Sequence, residues 1–300
     1  MKVGIFTDSA NHPRFDNMLR KFASGVQKTG DIAFCTAGKY SNCDVAVIFG
    51  SWKDRDTLWH NVKRDVVARA KNFICIETPL VGRGEVKDVG DDNWYRVGIN
   101  GFLADTGNFN NKRKPIDRWL KVKEELEVEL YDYEQGDDIL VALQVPGDAS
   151  LRGKDINWWT YEICHEIRKY SDRKIIIRTP QVLKTFDLDI LYSIRDRLPK
   201  IDYEIGSKEN LISSIKNSWA TVTYSSGLGI DSYLAGVPSF TMDRGNFAYS
   251  LGNTNIKNIE KPALPDRQQW LNNLCYAQWN DDEMSRGIVW KHLKEALLKL

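Results

Sequence analysis

The chain has 300 residues, with Lys+Arg 42 against Asp+Glu 41 for a formal net charge of +1, and is 42% hydrophobic and 28% charged. That length exceeds a single small core and predicts two lobes, while the balanced composition excludes wholesale disorder and near-neutrality excludes a protein that coats nucleic acid by charge alone, though not one basic face. No segment reaches the roughly 18 unbroken apolar residues of a membrane span, and ten tryptophans are well above the usual share.

In chain order, Val3 to Phe6 reads as a buried strand. Phe15 to Thr29 reads as a helix with apolar residues at Phe15, Leu19, Phe22 and Val26. Ile32 to Cys35 and Val45 to Gly50 are further apolar runs, Thr57 to Arg69 a helix, and Phe73 to Ile76 a strand running into Glu77-Thr78-Pro79. Short apolar runs alternating with helices of this length predict a doubly wound α/β sheet. Between Gly82 and Glu134 the rhythm fails, through Asp88 to Asp92, the Gly-Asn-rich Gly98 to Asn111 and the cationic Lys112-Arg113-Lys114, which predicts a linker and loop region. Alternation resumes with strands at Ile139 to Val145, Lys174 to Arg178, Ile201 to Glu204 and Ala220 to Tyr224. The intervening helices are Trp158 to Tyr170, Asp187 to Arg197 and Glu209 to Asn217. The tail, Asp266 to Leu300, reads as helical throughout, with Asp266 and Asp281 as N-caps. The expected division is 1–134 and 135–300, two Rossmann-like lobes with a cleft between them and C-terminal helices.

Five scattered cysteines without CxxC spacing predict neither a zinc site nor a disulfide framework, and place the chain in a reducing, cytoplasmic setting. Cys35 and Cys75, inside apolar runs, are expected as small buried hydrophobes. The opening MKVGIFTDSA does not read as a signal peptide.

The segment Thr221 to Thr241 carries the chemistry. A buried strand runs into Ser225-Ser226-Gly227, a helix starts there, and Gly236-Val237-Pro238 closes it. Glycine lets the backbone approach a ligand, serine hydroxyls donate, and a helix start offers unpaired N–H groups, a combination suited to a diphosphate. A capping serine beside a tight turn is the plainer reading of the same residues. Arg178 ends one predicted strand and Gln144 to Arg152 follows another at the same sheet edge, where ligands of such sheets bind.

These residues resemble the donor-binding half of GT-B-fold glycosyltransferases, those of the capsule-polysaccharide synthesis group and related small phage-encoded enzymes. The shared pattern is Ser-Ser-Gly-x-Gly-Ile-Asp, Ala-Gly-Val-Pro, then Asp243-Arg244-Gly-Asn246, with Gly147 to Arg152 and Gln278-Trp279 also matching. Asp231 stands where the group has Glu, and Arg178-Thr179-Pro180 lacks the histidine of Arg-x-His-Pro. The resemblance implies a UDP-type nucleotide-sugar as co-substrate. Ser225, Ser226 and Gly227 would hold the diphosphate, Arg178 or Arg244 would offset its charge, Asp231 would lie near the ribose, and Gln144, Ser150 and Arg152 would line the same edge. Ile76 to Arg83 is similar to the group's acidic strand-end motif, which makes Glu77 the first candidate base. Asp8 and His12 are its rivals, and the plain alternatives are that Asp8 caps a helix, Glu77 pairs with Arg83 and His12 is a loop residue.

Lys112, Arg113 and Lys114 with Trp119 form a basic stretch suited to a phosphate backbone, or a solvated helix start balanced by Glu124 to Glu129. Because some phage enzymes place sugars on hydroxymethylated cytosine in duplex DNA, the resemblance implies that acceptor first and a glycan hydroxyl second. Asp187-Leu188-Asp189 opens an amphipathic helix and Asp281-Asp282-Glu283 an acidic first turn, so no metal is expected. A non-catalytic sugar-nucleotide-binding module is the competing class. An epimerase or dehydrogenase should carry a glycine fingerprint after the first strand, which Thr7-Asp8-Ser9-Ala10 lacks.

Overall fold

Short runs of β-branched and aromatic residues build a first sheet from β1 (Lys2–Phe6), β2 (Ile32–Thr36), β3 (Val45–Phe49), β4 (Phe73–Glu77), β5 (Trp94–Ile99) and, from near the C-terminus, β11 (Gln278–Asn280), in the order β11-β5-β4-β3-β1-β2. The computed structural model describes residues 1–82, 93–180 and 188–300. The strands β1 to β4 are parallel, β5 runs antiparallel to β4, and β11 antiparallel to β5. Every residue of β3 is buried, as befits a strand covered on both faces.

A second, wholly parallel sheet comprises β6 (Asp138–Ala142), β7 (Ile175–Thr179), β8 (Ile201–Ile205), β9 (Ser218–Thr223) and β10 (Ser239–Thr241), in the order β10-β9-β6-β7-β8. Its helices are α4 (Ile156–Arg168), α5 (Leu188–Arg197), α6 (Lys208–Lys216) and α7 (Leu228–Leu234). The chain thus forms two Rossmann-like units, Met1–Leu126 with Leu271–Leu300, and Glu127–Trp270.

The helix α1 (Pro13–Lys28) starts with proline at its first position and His12 as N-cap, and buries Met18, Leu19, Phe22, Ala23 and Val26 along one stripe. Gly25 is a packing requirement: a Cβ there would lie 1.9 Å from the Met284 carbonyl oxygen, so only glycine lets α9 (Asp281–Ser285) approach α1. The helix α2 (Leu58–Arg69) is the crossover between β3 and β4.

Several expectations are corrected here. The tail belongs to the first unit, because β11 pairs with β5 and because Trp279, Met284, Trp290, Leu293 and Leu297 share the core of Val3, Ile5 and Phe22. The tail is not helical throughout, since β11 separates α8 (Gln268–Cys275) from α9 and α10 (Ile288–Leu297). Asn280, not Asp281, caps α9, in a capping box with Glu283, whereas Asp266 does accept from the Gln268 N–H at the start of α8. The supposed linker contains β5 and α3 (Asp117–Glu125), which complete the first unit. Cys75 is buried as expected, but Cys35 lies exposed near the end of β2, the edge strand of its sheet. Asp88 to Asp92, Arg83 and Asp187 lie outside the described residues.

The returning tail is fastened by a buried cation. The Arg118 guanidinium lies 3.7 Å from the Trp279 ring centroid, donates to both carboxylate oxygens of Glu283 at 2.8 and 3.2 Å, and reaches the carbonyls of Cys275 and Gln278. Burial pushes the Glu283 carboxyl up, but Arg118 and then Lys121 outweigh it and hold the group below its usual range. Removing the cation strands a buried carboxylate, so Arg118→Met should lower the unfolding free energy in urea by about 3–5 kcal/mol.

Asp31 is a second anchor, accepting from the Trp290 indole N–H at 2.7 Å and from Lys294 Nζ at 2.6 Å. Burial opposes its charge, yet Lys294, the Met1 amine and Trp290 together hold the carboxyl well below its usual range. A depressed carboxyl contributes stability above its unfolded value, about 3.9, and loses it as pH falls. Asp31→Asn should therefore destabilise the chain by about 1–3 kcal/mol at pH 7. The gap to wild type should close below pH ~4, read from urea midpoints across pH.

Candidate functional site

In the second sheet, β7 and β8 lie on one side of β6 and β9 and β10 on the other. The loops leaving β6 and β9 therefore diverge, and such a switch point opens a crevice at the carboxyl ends of the strands. Gln144, just past β6, fastens Ser225, just past β9. The Gln144 side-chain oxygen accepts from the Ser225 N–H at 2.9 Å, and its amide nitrogen donates to the hydroxyls of Ser225 at 3.0 Å and Ser150 at 2.7 Å. The Ser225 hydroxyl passes on to the Ser150 carbonyl at 2.9 Å, and the Ser150 hydroxyl to Asp148 at 2.7 Å. Donors and acceptors form one directed network, which fixes the turn.

Beyond the buried Ser225, Ser226 and Gly227 are half-buried. The Ser226 hydroxyl caps the Leu228 N–H at 3.2 Å, and its carbonyl accepts from the Asn246 side chain at 2.9 Å. The N–H groups of Ser226 and Gly227 donate to no group among the described residues. Arg152 follows in the left-handed conformation, with φ 53° and a guanidinium nitrogen 3.6 Å from Asp243, itself just past β10. Arg244 is exposed beside it, and Asp231 is half-buried in the first turn of α7. The fold thus gathers Gln144, Ser150, Arg152, Ser225, Ser226, Gly227 and Arg244 at one sheet edge.

Arg178 is the exception. It is only 6% exposed, and its guanidinium is spent on Glu204 at 2.5 Å, the Ser214 hydroxyl at 3.2 Å and the Ser207 carbonyl at 2.7 Å. It ties β7 to β8 and α6, so its fork is committed to packing rather than to the Ser225 turn.

The first sheet has its own switch point, between β1 and β3. The Ser9 hydroxyl knits these strand ends, donating to the Phe6 carbonyl at 2.6 Å and accepting from the Phe49 N–H at 2.9 Å. Asp8, in the single 3₁₀ turn Thr7–Ser9, accepts from the Gly38 N–H at 2.9 Å through one oxygen, and its other oxygen has no partner among the described residues. His12 uses its Nδ1 to cap α1, accepting from Arg14 at 3.2 Å. Both oxygens of Glu77 are engaged, one by the Ser51 N–H at 2.9 Å, the other by the Thr78 N–H and hydroxyl at 3.0 and 3.2 Å with Arg96 3.7 Å away.

Sequence reasoning missed Lys63, which projects from α2 toward these strand ends and is 4% exposed. Its ammonium lies 3.3 Å from the Ser51 carbonyl, and burial lowers its pKa against the opposing pull of Glu77. Gly50, at φ +81°, leaves room for it: a Cβ there would lie 2.8 Å from Lys63 Nζ. The available signal was a lysine on the apolar stripe of an amphipathic helix, beside His60, Val62 and Val66.

The basic stretch is largely dismantled. Trp119 is 4% exposed and Arg118 is buried on Trp279, so neither can stack on a base, and the Lys114 ammonium sits 5.1 Å from the Tyr276 ring centroid. Lys112 and Arg113 remain exposed. Among the described residues no helix is long and apolar enough to cross a membrane.

No protein-family model matches the chain, and no curated protein matches it at a significant level. Solved structures do. The KpsC β-Kdo 2,4-transferase of Thermosulfurimonas dismutans aligns over 92% of this chain and 90% of its own, with 12% identity and a TM-score of 0.54. The KpsC β-Kdo 2,7-transferase of the same organism aligns over 98% and 99%, with 13% identity and a TM-score of 0.52. At such identities the likeness is one of fold, and the fold to which this chain is similar is that of GT-B glycosyltransferases.

Proposed function

We propose that the protein is a GT-B-type glycosyltransferase moving a sugar from a nucleotide-sugar donor to an acceptor hydroxyl. The observation that carries this reading is the Gln144–Ser225–Ser150 network, which holds two unengaged backbone N–H groups, those of Ser226 and Gly227, at the switch point of the second sheet. Preorganised N–H groups at a turn suit the charge of a departing diphosphate, and Arg152 and Arg244 stand beside them. In this reading Asp231 addresses the ribose, and the nucleotide is UDP-type.

The first unit supplies the acceptor site and the base. Asp8, with a carboxylate oxygen unengaged, suits the base better than Glu77, whose oxygens are already satisfied, or His12, whose Nδ1 caps a helix. As the acceptor oxygen bonds to the anomeric carbon, its proton passes to Asp8, and the bond to the diphosphate breaks with its electron pair leaving on the phosphate oxygen. Arg152, Arg244 and the turn N–H groups offset that charge. For the acceptor we favour a glycan hydroxyl, because the burial of Trp119 and Arg118 dismantles the basic stretch on which a DNA acceptor rested.

Calorimetry with UDP and other nucleoside phosphates should show binding to wild type and at least a tenfold loss in Ser226→Trp, which fills the turn. An unchanged affinity in that variant sinks the donor reading. Gln144→Leu strands the Ser225 N–H and should cost about 1–3 kcal/mol in urea while weakening nucleotide binding. Arg178→Met should lower stability by a similar amount yet bind nucleotide within about twofold of wild type, since its interactions are internal.

Asp8→Asn should bind donor normally and lower transfer by about 10²- to 10⁴-fold, whereas Glu77→Gln should lose mainly stability. Mass spectrometry after incubation with sugar nucleotides and either oligosaccharides or hydroxymethylated DNA identifies the acceptor. Nucleotide binding without transfer to either class would instead favour a non-catalytic binding module.

A further inference from the structure

Of the ten tryptophans, nine are buried or half-buried, while Trp158 is 54% exposed. An isolated exposed indole would be free to reorient, but this one is built in place. Asp155 caps α4 by accepting from the N–H groups of Asn157 and Trp158. The Trp158 indole N–H donates to one oxygen of Glu162 at 3.1 Å, and Lys154 holds the other oxygen at 3.0 Å. On one side the indole stacks on Tyr161, with centroids 5.1 Å apart and planes 18° from parallel, and Tyr161 in turn meets His165 at 4.3 Å. One face of the indole is thus supported from beneath and the opposite face is left to water.

Its place in the fold is also fixed. The neighbouring Trp159 is buried with its ring 5.8 Å from Tyr224, which immediately precedes Ser225, and α4 begins where the loop bearing Gln144, Ser150 and Arg152 ends. The platform therefore stands on the first turn of α4, the helix that follows the loop bearing Gln144, Ser150 and Arg152.

We propose that Trp158 is a glycan-binding subsite that stacks one face of a neutral pyranose ring. A pyranose presents a flat C–H face to an aromatic ring and hydroxyls around its rim, so it needs one open aromatic face with hydrogen-bonding groups at the edge. Glu162 and Lys154 provide an acceptor and a donor at that edge, where they pair at 3.0 Å. A nucleobase can stack on one open ring too, and a loss of nucleotide affinity in the ring variant is the outcome that would assign Trp158 that role. The subsite deepens the glycosyltransferase reading, on which it rests for the identity of the glycan.

The test uses the full chain labelled with ¹⁵N, the indole N–H signal of Trp158 being identified by its loss in Trp158→Ala. Titration with cellotetraose, maltotetraose and chitotetraose should shift that signal saturably for at least one of them. Calorimetry should show the binding lost in Trp158→Ala, retained but several-fold weaker in Trp158→Tyr, and nucleotide affinity unchanged in both. No response to any of the three sugars, or wild-type sugar affinity in Trp158→Ala, overturns the subsite. A parallel loss of nucleotide affinity also overturns it, since the ring would then serve the donor. Sugar binding at Trp158 in a protein that binds no nucleotide would leave the subsite standing and fell the donor reading instead.

Discussion

In both units the strand order reverses beside the first strand of the sheet, and the candidate chemistry follows from that constraint. The chain leaves β1 for β2 on one side and comes back as β3 on the other; it leaves β6 for β7 and later flanks it with β9. Loops that depart on opposite sides cannot cover the ends of the strands between them, so backbone groups there must find side chains or ligands. Ser9 meets that demand in the first unit, bonding Phe6 and Phe49. Gln144 meets it in the second through its hydrogen bonds to Ser225 and Ser150, and the next two N–H groups of the chain donate to no group among the described residues. That geometric fact accounts for the stiffness of the turn.

Local pattern was enough for much of this. Strands such as Val45–Phe49 and the stripe of α1 are written in residue type and spacing, and the Ser225 turn is legible as a strand-to-helix junction, whose serines and glycine read as a cap as readily as a ligand loop. What failed was long-range. The strand β11 has only three residues, and its identity depends on pairing with β5, nearly two hundred positions earlier. Trp94-Tyr-Arg-Val-Gly-Ile lies among loop-rich sequence and becomes a strand because Ile74 to Glu77 and then Gln278 to Asn280 offer it partners. Four of those six residues, Trp94, Tyr95, Val97 and Ile99, favour strands, so β5 is legible locally and is masked by the loop-rich sequence around it, whereas the three residues of β11 depend on their pairing.

Charged residues at strand ends show the same limit in chemical form. Arg178 and Glu77 both occupy positions where the topology invites a ligand, yet each is answered from within its own unit, Arg178 by Glu204 and Ser207, Glu77 by Ser51 and Thr78. Sequence can say that a charge stands at a sheet edge; it cannot say whether a neighbour has already engaged it. Asp8 differs by a single bond: Gly38 satisfies one oxygen and leaves the other. That difference, invisible in composition or spacing, reverses the order of the two carboxylates.

The tryptophans obey a similar division, and near-neutrality helps to explain it. Arg118 might have contributed to a basic face but lies against Trp279 with its charge answered by Glu283, so a cation and an indole that look like a surface patch in sequence jointly fasten the C-terminal tail. The cation is shielded by the ring, the ring loses an exposed face, and the carboxylate completes the desolvated set, which is why removing one member exposes the other two to an unfavourable environment. Trp158 is also held, by Tyr161 stacked on its ring and by Glu162 at its N–H edge with Lys154 on the other Glu162 oxygen, yet it stays 54% exposed. An indole enclosed on every side has finished its work in folding. One that is fixed in place and open on a single face is complementary to something flat that this chain does not itself supply.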